Sequence, residues 1–312
     1  MSTDYILFIH GVSNRSKTEK PSYADGLFQE IEKRVEPPLT VEKIALYWGN
    51  VNLAAENKLE DALKASKAWD KLWFKDFRDK QLLQFVGDAA LYLSRHVGSQ
   101  VVAQLKQQAE QVLGTAASPK HKPGDRLHLV THSWGTVILL DILFADRWED
   151  EKIPGHKDVM LIRNALFGLG ANPNQGITLA SIHTMGSPIA LFSLISVNGS
   201  SHDFQPQFNK LLENLYHRRS RELPWLNFIH SGDPVAWPLE KVMSGLVDGD
   251  AKYLDFKDQL THEKFDFLIQ PFSQTILALL NGGKAHGSYW SSKEVAQSIA
   301  QIIKTAAKPA NS

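Results

Sequence analysis

Five short, apolar-rich segments recur along the chain, the first of them continuously apolar, and longer segments with a helical pattern separate them. A continuous apolar run of strand length is typical of a strand buried on both faces of a parallel sheet. Strands that alternate with helices predict the α/β class, with a doubly wound, mostly parallel sheet. The five predicted strands are Tyr5–Ile9, Val41–Trp48, Leu127–Thr131, Thr178–Met185 and Trp225–Ser231.

Two longer segments do not fit a minimal alternation of strands and helices. Residues 53–114 are polar, lack proline and are rich in Ala, Lys, Gln and Leu, which predicts a helical insertion with one helix near 85–94. Residues 191–221 lie between two core strands and form a candidate lid. Ordinary surface packing is the alternative for either segment. A chain of 312 residues is otherwise predicted to form one domain over 1–307, with a tail at 308–312.

The charge balance and the residue types present exclude several classes of protein and site. Lys plus Arg and Asp plus Glu each total 34, so the formal net charge is zero and no nucleic-acid partner is expected. The lack of cysteine excludes disulfides, thiolate metal sites and a cysteine nucleophile. No metal-ligand spacing and no phosphate-binding loop stands out, so neither a metal nor a cofactor is expected.

The amino-terminal residues run directly into an apolar segment, without the basic region and long apolar stretch of a signal peptide. No apolar run approaches the roughly 18 residues that a membrane helix requires. The expectation is a soluble, cytoplasmic protein, with peripheral membrane contact left open.

A strand, a short turn centred on Ser133 and an apolar helix follow one another near the middle of the chain. The turn is Thr131-His-Ser-Trp-Gly135. This order matches a nucleophile elbow, in which small residues flank the serine at minus two and plus two because strand and helix approach closely. Gly135 fits the plus-two position, whereas Thr131 adds a β-branch at minus two. Ser133 is therefore the predicted nucleophile.

A serine hydroxyl needs a base to take its proton and backbone donors to hold the oxyanion that develops. The elbow supplies the N–H of Trp134 as one donor. The second donor should follow an earlier strand, and the N–H of Val12 is the candidate. Gly11 lets the backbone approach a substrate there. His10 is interpreted as holding this loop in shape, with a role as catalytic base as the alternative.

Asp233 directly follows the last predicted strand, which is where the acid of such a hydrolase is expected. Gly232 and Pro234 beside it would bend the chain and point the carboxylate inward, although a plain type I turn explains the same residues. The other aspartates considered lie on or at the end of the helix after the nucleophile, or lack a clear preceding strand. They are Asp141, Asp146, Asp248, Asp250 and Asp255.

The base should come after the acid, which leaves two histidines. His262 lies in a charged stretch with a helical pattern. His286 lies in a glycine-rich loop before the C-terminal helix, from which a side chain can reach over the sheet edge. His286 is therefore the predicted base.

Five motifs, in this order along the chain, resemble the α/β-hydrolase lipases and esterases. They are His10-Gly11, Thr131-His-Ser-Trp-Gly135, Met185-Gly-Ser-Pro188, Asp233-Pro-Val235 and His286-Gly-Ser-Tyr-Trp290. The branch that they resemble most is the lipase-like proteins similar to GPI inositol-deacylases. The resemblance covers 5–290 in patches, and least well 53–114. It implies an α/β-hydrolase fold with a triad of Ser133, Asp233 and His286. It also implies that His132 packs beside the elbow and that Ser187 is a structural or pocket residue.

These residues predict a serine hydrolase that cleaves small-molecule or lipid carboxylic esters through an acyl-enzyme. An amidase or peptidase would use the same triad, and a non-catalytic binding protein of this fold is the alternative from another class. Trp134, Trp237 and Trp290 are candidates for an apolar acyl pocket or for the core. His183 and His230, inside predicted strands, are interpreted as core histidines.

Overall fold

The structure is a computed structural model that describes residues 2–12, 21–51, 53–71, 92, 95–169, 176–192, 205–246, 253–261 and 285–308. Within these ranges, no helix combines the length and the apolar character needed to cross a membrane.

Eight strands lie within the described residues. They are β1 (Thr3–Ile9), β2 (Thr40–Leu46), β3 (Gly114–Thr115), β4 (Ser118–Pro119), β5 (Arg126–His132), β6 (Thr178–Met185), β7 (Leu223–His230) and β8 (Leu254–Thr261). Six of them form one parallel sheet in the order β2-β1-β5-β6-β7-β8, and β3 pairs with β4 in a separate antiparallel pair. The predicted α/β class, with a doubly wound, parallel sheet, is confirmed.

The strand β8 is absent from the sequence-based prediction, which treats the segment around Asp255 as polar and without a strand. The sequence of β8 is Leu254-Asp-Phe-Lys-Asp-Gln-Leu-Thr261, and most of its side chains are partly exposed. Among the described residues it pairs with β7 alone, at the edge of the sheet that they form. An edge strand needs no continuous apolar run, so hydropathy did not reveal it.

The α-helices in the described part of the chain are numbered in chain order. They are α1 (Asp25–Glu32), α2 (Leu53–Lys64), α3 (Arg95–Leu113), α4 (Trp134–Phe144), α5 (His156–Phe167), α6 (Ile189–Phe192), α7 (Gln205–Arg219), α8 (Glu240–Leu246) and α9 (Lys293–Ala306). The predicted insertion at 53–114 thus holds α2 and α3, while most of the helix predicted near 85–94 lies outside the described residues. The candidate lid at 191–221 holds α7, and its residues 193–204 also lie outside them, as do 309–312 of the predicted tail.

Helices cover both faces of the sheet, because successive side chains along a strand point to opposite faces. Leu7 and Leu129 belong to the apolar cluster that includes side chains of α3, α4 and α5. Phe8 and Val130, their neighbours in sequence, belong to the cluster that includes side chains of α1 and α9. This two-sided burial explains why the central strands carry apolar side chains on both faces.

Helix α9 shows how local sequence fits this arrangement. Its start is capped by Ser292, whose side chain accepts the N–H of Val295. Its buried residues recur at helical spacing, so one face packs on the sheet. They are Val295, Ala296, Ile299, Ala300 and Ile303.

A chain of buried polar side chains crosses the sheet from β1 to β6. Nε2 of His128 lies 3.0 Å from Asp4 Oδ1, and Nδ1 of His128 lies 2.6 Å from Ser181 Oγ. Ser181 Oγ also lies 2.7 Å from His183 Nε2. One proton arrangement satisfies all three contacts: both histidines donate from Nε2, and the serine donates to His128 Nδ1. Both histidines are then neutral, and Arg126 holds the Asp4 carboxylate with two hydrogen bonds of 2.7 and 2.6 Å.

Burial keeps three histidines of the sheet in their neutral form. Burial is the main cause of the lowered pKa of His128, and of a still lower pKa of His183. His132 at the end of β5 has its pKa lowered to about 3, by burial first and then by the charge of nearby His286. A histidine with a lowered pKa in the folded state takes up its proton more readily when the chain unfolds, so the fold should lose stability in mild acid.

Lowering the pH from 7.0 to 5.5 should therefore reduce the free energy of unfolding. The loss is about 1.2 kcal/mol for each histidine that stays neutral in the folded state and has an ordinary pKa when unfolded. His183→Phe removes one such group and keeps an aromatic ring against Phe228. In this variant the loss of unfolding free energy between pH 7.0 and 5.5 should be smaller by about 1.2 kcal/mol. Urea denaturation at both pH values measures it.

The control is His217→Gln, which removes a histidine whose side chain is 70% exposed. The loss of unfolding free energy between the two pH values is compared between this variant and His183→Phe. An unchanged pH dependence in His183→Phe would show that His183 already takes up its proton in the folded state.

Candidate active site

The carboxyl ends of β1 and β5 meet where the chain switches from one half of the sheet to the other. From β1 the chain continues to β2 on one side, and from β5 it continues to β6 on the other. Ligands bind at such switch points in open α/β sheets. His10 and Gly11 follow β1 here, and Ser133 follows β5. A Cβ added to Gly11 would lie 2.5 Å from the Ser133 Cβ, so this contact requires glycine.

Ser133 occupies a strained turn between β5 and α4. Its φ of 54° and ψ of −127° fall where non-glycine residues are rare, at a cost of about 1–3 kcal/mol. At plus two, a Cβ on Gly135 would lie 2.6 Å from the carbonyl oxygen of His10. At minus two, Thr131 is buried and donates its hydroxyl to the carbonyl of His183 at 3.5 Å. The β-branch that departs from the usual pattern is thus accommodated inside the sheet.

The Ser133 hydroxyl is buried at the amino end of α4. Its Oγ makes no hydrogen bond within the described part of the chain. The serine backbone is held on both sides: its N–H donates to Met185 O at 2.9 Å, and its carbonyl accepts from Thr136 N and Oγ1 at 3.0 and 2.7 Å. The first turn of a helix carries N–H groups without intrahelical acceptors and a partial positive charge. A nucleophile at this place has donors for a developing oxyanion close by.

Asp233 and His286 form a hydrogen-bonded pair, although 53 residues separate them. His286 Nδ1 lies 2.8 Å from Asp233 Oδ2, and the other carboxylate oxygen accepts the N–H of Val235 at 2.9 Å. Burial raises the pKa of Asp233. The hydrogen bond and charge of His286, with donors from Val235 and Tyr289, outweigh that effect and bring the pKa below its ordinary value. Asp233 is therefore a carboxylate at neutral pH, suited to orient an imidazole.

Gly186, directly after β6, lies against this pair. Its φ is +58°, and an added Cβ would lie 2.9 Å from Asp233 Oδ2 and 3.1 Å from His286 Cε1. Sequence reasoning did not single out this glycine, although it belongs to the motif Met185-Gly-Ser-Pro188. Because Met185 also accepts the Ser133 N–H, the end of β6 links the serine turn to the Asp233–His286 pair.

His132 joins the serine turn to the loop that carries His286. Its Nε2 lies 2.6 Å from the carbonyl oxygen of His286, and the two imidazole rings lie 4.5 Å apart. Since the acceptor is a carbonyl, Nε2 carries the proton. With a pKa of about 3, His132 stays neutral and serves as a backbone anchor.

His10 has both ring nitrogens engaged. Its Nδ1 lies 2.6 Å from the carbonyl of Gly11, and its Nε2 accepts the backbone N–H of Trp48 at 3.2 Å. Its ring stacks on the Trp48 ring at 5.4 Å. Neither nitrogen is left to take a proton from Ser133, so the geometry favours the interpretation that His10 shapes the loop.

The other predicted residues fall into two groups, those in the core and those nearer the surface. Ser187 is fully buried, and its Oγ lies 2.9 Å from Thr136 Oγ1. The Trp134 side chain is also fully buried, whereas Val12 is partly buried and Trp237 is 41% exposed. Trp290 is partly buried, with its ring 5.4 Å from that of His132.

Three of the alternative acids are described, and each lies away from this cluster. Asp141 accepts hydrogen bonds from Tyr92 at 2.7 Å and from Arg147 at 2.5 Å. Asp255 lies near the amino end of β8 and pairs with Lys257, at 2.9 Å. Asp146 opens the short 3-10 helix Asp146–Glu149. The remaining candidates, Asp248, Asp250 and His262, lie outside the described residues.

Tyr289 is a residue of this site that sequence reasoning missed. Its hydroxyl donates to Asp233 Oδ2 at 2.9 Å and accepts the backbone N–H of His230 at 2.8 Å. The available signal was its place in the motif His286-Gly-Ser-Tyr-Trp290, three residues after the predicted base. No pattern in the sequence, however, indicates that this tyrosine faces the acid.

An apolar cavity of about 580 Å³ lies on the face of the sheet that α3, α4 and α5 cover. Its lining includes Leu7, Leu129, Leu105, Leu139 and Leu166. Ser133, Asp233 and His286 do not line it, so this cavity is separate from the candidate site. Among the described residues, no group of three or more His, Asp and Glu side chains could hold a metal ion.

No family model matches the chain, and no curated protein matches it either. Among solved structures, an acetyl xylan esterase is 11% identical over 97% of this chain and 98% of that chain, with a TM-score of 0.36. ClbQ from the colibactin pathway is 11% identical over 98% of both chains, with a TM-score of 0.37. A dienelactone hydrolase from Anabaena variabilis is 11% identical over 90% of this chain and 85% of that chain, with a TM-score of 0.29. Similarities this distant carry no argument about activity, which has to be inferred from the side chains at the site.

Proposed function

We propose that the chain is a serine hydrolase that cleaves carboxylic esters, with Ser133 as nucleophile, His286 as general base and Asp233 as the orienting acid. The observation that carries this proposal is the 2.8 Å hydrogen bond between His286 Nδ1 and Asp233 Oδ2. The pair packs against Gly186, and the neighbouring Met185 accepts the N–H of Ser133. In acyl transfer a carboxylate holds one nitrogen of the imidazole and the other nitrogen takes the serine proton, and we propose that this second contact forms in the complex with substrate.

In the first half of the reaction, Ser133 Oγ attacks the ester carbonyl carbon while His286 Nε2 removes the hydroxyl proton. The carbonyl oxygen becomes an oxyanion, for which the N–H groups of Trp134 and Val12 are the proposed donors. The tetrahedral intermediate then collapses. Its ester C–O bond breaks, and the leaving alcohol takes the proton from His286, which leaves an acyl group on Ser133.

In the second half, water replaces the alcohol. His286 removes a proton from water, the hydroxide adds to the acyl carbonyl, and the same two N–H groups hold the second oxyanion. Collapse releases the carboxylic acid and returns the proton to Ser133. Throughout, Asp233 stays ionised and stabilises the imidazolium, in keeping with its lowered pKa, which hydrogen bonds and the His286 charge produce against the effect of burial.

We extend the proposal to lipid esters. The resemblance of the five motifs to lipase-like proteins supports this substrate class. A rise in kcat/KM with acyl length in a series of p-nitrophenyl esters would support it further, whereas a fall beyond butyrate would restrict the proposal to short esters. Amides tested alongside would separate esterase from amidase action, since both chemistries use one triad.

Labelling with a fluorophosphonate tests the nucleophile directly, because the probe reacts with an activated serine. Wild-type protein should be labelled on the peptide that contains Ser133, as located by mass spectrometry, and Ser133→Ala should not be labelled. Ser187→Ala is the matched control, since it removes another buried serine hydroxyl near the elbow and should still be labelled. Equal labelling of wild type and Ser133→Ala would refute the proposal, and no labelling of either would favour a binding protein of this fold.

A further inference from the structure

The Asp233 carboxylate receives more donors than a triad requires. His286 Nδ1 at 2.8 Å and the Tyr289 hydroxyl at 2.9 Å both donate to one oxygen, Oδ2. The second oxygen accepts the N–H of Val235 at 2.9 Å. The imidazole and the phenol thus compete for the negative charge of a single carboxylate oxygen.

Tyr289 is held in this position from several directions. Its side chain is fully buried, and its hydroxyl accepts the His230 N–H at 2.8 Å, so the phenol proton points toward Asp233. It lies in the short 3-10 helix Ser288–Ser291, directly after the segment that carries His286. Burial first, and then the charge of Asp233, raises the pKa of Tyr289, which keeps the hydroxyl protonated as a donor.

We propose that Tyr289 is a positioning residue that sets the basicity of His286 by sharing Asp233 Oδ2 with it. A carboxylate oxygen that already accepts a phenol proton is a weaker partner for the imidazolium. Protonated His286 is then stabilised less, so the base remains neutral and active at lower pH than with Asp233 alone. This inference rests on the proposed function, because it concerns the same base.

Three other histidines lie around the Asp233–His286 pair, and none of them is among the groups that donate to the Asp233 carboxylate. His132, on the end of β5, faces the His286 ring but stays neutral with a pKa of about 3. His230, at the end of β7, turns its Nδ1 to the N–H of Gly232 at 3.0 Å, and its ring lies 6.4 Å from that of Tyr289. His10, on the loop after β1, has its ring nitrogens bound to Gly11 and Trp48.

The test is the pH profile of kcat/KM for Tyr289→Phe. Without the phenol donor, the acidic limb should move to higher pH by about half a unit to one unit. The matched control is Tyr92→Phe, since Tyr92 is an equally buried tyrosine that donates to Asp141, at 2.7 Å, away from the site. Its acidic limb should coincide with that of wild type. An unmoved limb in Tyr289→Phe, or the same shift in both variants, would overturn the proposal.

A second variant covers the case in which Tyr289→Phe fails to fold because the His230 N–H loses its acceptor. Replacing Tyr289 by 3-fluorotyrosine keeps the hydroxyl and makes it a stronger donor, so the acidic limb should move to lower pH. A merely structural tyrosine would give no shift of this sign.

The pH dependence of the fluorophosphonate labelling rate provides the same readout without turnover. Wild-type protein that neither turns over esters nor reacts with the probe would contradict the proposed function, whereas an active enzyme with unmoved limbs would contradict only the role of Tyr289.

Discussion

Replacing Ser133 by alanine should lower kcat for a p-nitrophenyl ester by about 10⁴-fold or more, because no atom remains to form the acyl-enzyme. The loss should appear in kcat with little change in KM, since alanine removes one oxygen and leaves the surrounding loops in place. Steady-state kinetics on the purified variant measure both constants. A small residual rate from the oxyanion donors is expected even without the nucleophile.

The control for this variant is Ser187→Ala. Ser187 is as buried as Ser133, and its hydroxyl bonds to Thr136, which in turn holds the Ser133 carbonyl. Its loss should perturb the elbow and lower kcat by less than about tenfold. If Ser187→Ala were the inactive variant and Ser133→Ala remained active, the nucleophile would have been assigned to the wrong serine.

Replacing Asp233 by asparagine should lower kcat at neutral pH by about 10⁴-fold, nearly as much as loss of the serine. The asparagine amide can donate to His286 Nδ1, which then favours the tautomer with its proton on Nε2. That tautomer presents a proton to Ser133 and cannot accept one. The measurement is kcat at neutral pH, with thermal unfolding to show that the variant folds.

Asp258→Asn is the matched control for the acid. Asp258 also sits beside β7 and accepts hydrogen bonds from Asn227 at 2.7 Å and from Leu239 at 3.0 Å, but it does not contact His286. Its substitution should reduce stability and leave kcat within a few-fold of wild type. The identity of the base is checked in parallel: activity that survives His286→Ala and disappears in His262→Ala would move that role to His262.

Strands buried on both faces are predictable because they carry apolar side chains on both faces. Tyr5–Ile9 is fully apolar, and Leu127–Thr131 and Thr178–Met185 are rich in apolar residues. The strands β1, β5 and β6 follow these three segments to within two residues. The edge strand β8 escaped prediction for the opposite reason, since its exposed positions carry Asp, Lys and Gln. Sequence reasoning thus predicted the central strands of the sheet and missed the strand β8 at its edge.

The elbow shows both what local sequence conveys and where it stops. Strand, turn and helix around Ser133 are consecutive in the chain, so their residue types predict the turn directly. Thr131 departs from the usual pattern of a nucleophile elbow, which has a small residue two positions before the serine. Only the neighbouring strand shows that its side chain is accommodated, because its hydroxyl reaches the carbonyl of His183.

The sequence alone determined the order of Ser133, Asp233 and His286, the places of the first two after predicted strands and the place of His286 before the C-terminal helix, because those features depend on consecutive residues. The tertiary structure alone decided that Asp233 and His286 meet at 2.8 Å and that Tyr289 shares the same carboxylate oxygen. It also decided that Gly186 must lack a side chain. These contacts join residues far apart in the chain and depend on distances of a few tenths of an ångström. Such distances are set by how the strands pack side by side, and no pattern of neighbouring residues encodes them.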